Sequence, residues 1–83
     1  FQVIEANPTI LAFPRFRECV SQKIIEINVY DQNYVNHYDP LIANSMMRLL
    51  RCMANITNII MVYERIERRV REERLAQERP HEG

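Results

Sequence analysis

Side chains able to do chemistry are few here, and their spacing decides what each set can do. Cys19 and Cys52 are the only thiols. Neither sits in a Cys-x-x-Cys or comparable ligand spacing, so they read as small buried hydrophobes, brought to almost the same height if the chain folds as a hairpin. His37 lies between Asn36 and Tyr38 with Asp31 and Asp39 close by, a set of nitrogen and oxygen donors. Structural zinc favours Cys and His in defined pairs, and that pairing is missing, so no metal ligand is assigned. His81 suggests no role. No Gly-rich phosphate loop, GxSxG or HExxH motif occurs, and no Cys, His and acid set has a recognisable spacing. The expectation is a protein that is not an enzyme and needs no cofactor.

The remaining polar chemistry is ionic. Residues Glu64 to Arg79 hold five Glu and six Arg. Several opposite charges fall four residues apart: Glu64 with Arg68, Glu67 with Arg71, Arg68 with Glu72, Arg69 with Glu73, and Arg74 with Glu78. Each such pair supports an exposed helix by about 0.2–0.5 kcal/mol, so the segment reads first as a solvated helix extension. Arg65, Arg68, Arg69 and Arg71 cluster within two turns and are the candidates for phosphate contact. The interleaved glutamates, leaving a segment charge of only +1, argue against nucleic acid as the partner.

Apolar side chains carry the stronger message. Met46, Met47, Met53 and Met61 fall at helical spacing beside Leu and Ile, as core filler does. Tyr30, Tyr34 and Tyr38 recur every four residues, as a stripe closing off a core with its hydroxyls in water would. Asn55-Ile56-Thr57 matches the glycosylation tripeptide but lies within an apolar helical pattern and reads as chance, and Asn7-Pro8-Thr9 is excluded by its proline.

The elements that must hold these residues follow from composition. The chain has 83 residues, 47% apolar and 27% charged, with eleven basic against eleven acidic groups and so zero formal net charge. That bounds it to one small domain with little room for a deep pocket. One Gly and four Pro are too few turn-makers for a many-stranded sandwich or barrel, so helices are expected throughout. No run of about 18 uncharged apolar residues exists, because Arg48 and Arg51 interrupt the most hydrophobic stretch, so no membrane span is expected. Two unpatterned cysteines and the lack of a secretory opening favour an intracellular (cytoplasmic or nuclear) piece of a larger protein.

Prolines mark the helix starts. Asn7-Pro8 opens a short turn over Thr9 to Phe13, which Pro14 ends. From Pro14, Phe16, Val20, Ile24 and Ile27 line one face of a first helix over residues 14–30. Residues 31–39 read as a loop, although the tyrosine recurrence raises the prospect of a longer first helix. Asp39-Pro40 caps and starts a second helix over 40–78, with nothing to stop it before Pro80. At 1.5 Å per residue it spans about 58 Å. Its core residues step as Ile42, Met46, Leu49, Met53, Ile56, Ile60, Tyr63, then Ile66 and Val70, alternating four and three through Tyr63 as a left-handed coiled coil requires.

The expected fold is therefore all-α, a helical hairpin with a long second helix, self-associating as a helical bundle or coiled coil. Residues 1–13 would pack on the bundle, 14–79 would form the hairpin oligomerisation domain, and 80–83 would be a disordered tail. Antiparallel pairing about the 31–39 loop sets Ile24 level with Met46 and Val20 level with Leu50, so the first helix covers the second only to about residue 56. Beyond that point the apolar flank has no partner within the chain except the first dozen residues, of which Phe1, Val3, Ile4, Ile10, Leu11 and Phe13 are apolar, so part of it stays open, and Ile56, Ile59, Ile60, Tyr63, Ile66 and Val70 become the predicted partner-binding residues. The implied function is protein–protein interaction: a homodimerisation or scaffold domain. The alternatives are a subunit that binds a helix of a different protein, and an Arg-rich helix that contacts nucleic acid.

Overall fold

A computed structural model describes residues 1–78. The described residues are mostly helical, with α1 over Gln2–Ala6, a 3-10 turn over Pro8–Ala12, α2 over Pro14–Tyr34 and α3 over Pro40–Glu78. No strand occurs among the described residues. Arg79, Pro80, His81 and the disordered tail expected over 80–83 lie outside the described residues.

Each boundary has a local cause. Phe13 is extended (φ −82°, ψ 117°), as a residue preceding proline must be, and this separates the 3-10 turn from α2. At the hairpin, the backbone N–H of Tyr38 donates to Asn36 Oδ1 at 3.0 Å and that of Leu41 donates to Asp39 Oδ1 at 3.0 Å. The second bond is the expected cap on α3. Asn7 does not cap through its side chain; its Oδ1 accepts from Thr9 Oγ1 at 2.5 Å instead.

The first helix is longer than the 14–30 expectation. Residues 31–34 continue α2, with Asn33 Nδ2 donating to the Val29 carbonyl at 2.8 Å and the Tyr30 and Tyr34 rings in tilted contact, their centres 5.3 Å apart. The four-residue tyrosine spacing is therefore helical as far as Tyr34, and the loop contracts to 35–39. Residues 1–13 contain a helix, α1, that the sequence pattern did not announce, because five residues are too few to establish a period.

The core joins all the elements. Ile4 from α1, Leu11 from the 3-10 turn, Val20 and Ile24 from α2, and Met53, Ile56 and Ile60 from α3 form one buried cluster. The hairpin register differs from equal-height pairing. Ile24 shares a shallow surface depression with Met53, Ala54 and Thr57, and Arg17 reaches Tyr63 and Glu67. The α2 face thus lies roughly two to four turns further along α3 than expected. As a result the base of α3 is bare, with Leu41 80% exposed, while cover reaches to about residue 67. The molecule is a rod, 69 × 26 × 16 Å, with α3 projecting beyond everything packed on it.

Candidate partner-binding surface

Register and the N-terminal segment together decide which predicted binding residues are accessible. Ile56 is fully enclosed and Ile60 is 4% exposed; both belong to this chain's own core. Ile4 and Leu11, from the N-terminal segment the sequence offered as partial cover, share one buried cluster with them. Ile59 and Tyr63 are half-buried against the same cluster. Ile66 and Val70 remain open at 52% and 48% exposure. They line a shallow groove of about 420 Å³ with Glu67, Arg71 and Arg74. Met61 and Val62 are also exposed, so the uncovered apolar surface runs up α3 from about residue 61.

One residue that sequence reasoning passed over organises this end of the rod. Arg17 is buried, and its guanidinium donates to the Leu11 carbonyl at 2.7 Å and the Ala12 carbonyl at 3.2 Å. It also pairs with the Glu67 carboxylate and lies 5.8 Å from the centre of the Tyr63 ring. A planar, always-charged fork suits this position, because it satisfies the carbonyls that end the 3-10 turn while holding an acid on a different helix. The available signal was its place in the apolar stripe of the first helix, one turn before Val20 and two before Ile24, where a charged residue must find partners.

Glu67 therefore pairs across the fold rather than with Arg71. None of the other expected four-residue pairs on α3 closes to contact; among the described residues, charge contacts are Arg17 with Glu67, Lys23 with Glu26, and His37 with Asp31. Exposed long side chains gain little from such contacts against the entropy of fixing them, and water wins. Arg65, Arg68, Arg69 and Arg71 are all exposed on the projecting end. At 100° per residue they spread over about 160° of the helix surface, with Glu64 and Glu72 inside the same arc.

The thiols are not neighbours. Cys19 is exposed on α2, whereas Cys52 is half-buried on α3 against α1, so the shifted register corrects the equal-height pair and leaves only Cys52 packed as a hydrophobe. Burial, then a hydrogen bond with Glu5 and its charge, pushes the Cys52 thiol pKa up from the usual 9.0. In the hairpin loop, His37 Nε2 lies 3.2 Å from Asp31 Oδ1, an enclosed oxygen that the geometry leaves without a hydrogen bond. Asp39 is committed to capping α3, and no group of three His, Cys, Asp or Glu is gathered for a metal among the described residues. No helix among them is long and apolar enough to cross a membrane.

No family model, curated protein or solved structure matches the chain. Function must therefore be sought in the surface itself, and its dominant feature is the apolar stripe on the projecting end of α3.

Proposed function

We propose that this chain is an assembly module, associating with a second copy of itself through the upper part of α3 to give a homodimer. The observation that carries this reading is the half-exposure of Ile66 and Val70 on a helix that outreaches its own cover. Burying side chains of this size contributes about 1.5–3 kcal/mol each, and a symmetric pair buries them twice. An intracellular setting accompanies the proposal, since Cys19 and Cys52 stand free and a reducing compartment keeps exposed thiols so.

Sedimentation equilibrium tests it. The expected result is a concentration-dependent species of twice the 10.0 kDa chain mass, weakened by Ile66→Asp. A wild-type chain that stays monomeric at several hundred micromolar, and that Ile66→Asp leaves unaltered, overturns it. A stripe that instead binds a helix of a different protein would leave the isolated chain monomeric or aggregated. Binding of the arginine end to nucleic acid is the reading the charge pattern disfavours, because Glu64 and Glu72 share its arc. A duplex titration near 100 mM salt that finds no affinity disposes of it.

A further inference from the structure

We draw no further inference here: the strongest candidate, the exposed apolar patch of Tyr30, Tyr34, Tyr38 and Leu41 at the hairpin end of the rod, carries nothing because nothing in the structure shows what covers it.

Discussion

Arg17 shows how one side chain can connect three elements. With its guanidinium removed, the Leu11 and Ala12 carbonyls and the Glu67 carboxylate lose their shared donor in a partly dry site. Arg17→Ala is expected to cost about 2–4 kcal/mol, within the range for breaking a buried charged network. Glu67 keeps access to water, with its side chain 38% exposed, so Glu67→Gln is expected to cost no more than about 1 kcal/mol. Urea unfolding of the two variants decides: equal losses would mean that the ion pair, not the carbonyl bonds, matters. Cys52 makes a second test at this scale. Its thiol pKa is raised in the fold, so the folded state holds the proton more tightly than the unfolded chain. The stability this contributes is complete below the ordinary thiol pKa of 9.0 and disappears as pH rises through the higher folded value. Wild-type stability is therefore expected to fall more steeply above pH 9 than that of Cys52→Ala, measured by thermal unfolding across that range.

At the scale of elements, α3 depends on its start and on its middle for different reasons. Asp39 satisfies the Leu41 N–H, and Asp39→Ala is expected to cost about 1 kcal/mol, the usual value of an N-cap. A loss below about 0.3 kcal/mol in chemical denaturation would show that the exposed first turn frays regardless of its cap. In the middle, Ile60 is 4% exposed, and Ile60→Asp would bury an unpaired charge in the monomer's own core. It is expected to unfold the chain, as read by circular dichroism, rather than to separate folded copies. Ile66→Asp, on the open stripe, is expected to leave the helix content intact and weaken association. The contrast between these two substitutions distinguishes the core of one chain from the surface offered to another.

For the molecule as a whole, the 69 Å rod has a filled waist and bare ends. At one end stand Tyr34, Tyr38 and Leu41, and at the other Ile66, Val70 and Leu75, all about half exposed or more. Association is assigned to the second end because there Ile66 and Val70 continue the apolar period of α3 past its own cover. Scattering from the chain at rising concentration is expected to report an apparent mass climbing toward twice that of one chain if α3 helices pair at this end, and a mass that stays at one chain counts against it.

Helix identity and the unbroken length of α3 were legible in the residues, because the proline starts, the Asp39 cap and the apolar period are local properties of the chain. The end of α2 was half legible: tyrosines at four-residue steps signalled helix while Asn and Asp signalled loop, and α2 runs on to Tyr34 with contacts inside the helix itself, Asn33 to the Val29 carbonyl and Tyr30 against Tyr34. Tertiary structure alone decided which face of α3 is free. The same heptad spacing serves equally for a contact within one chain and between two, and periodicity carries no information on which elements meet. The register that carries Arg17 to Glu67, and the seating of Ile4 and Leu11 over Ile56 and Ile60, arise from long-range shape fit and one buried charge seeking partners. That is why the candidate surface contracts, on folding, from six residues to an open end at Ile66 and Val70.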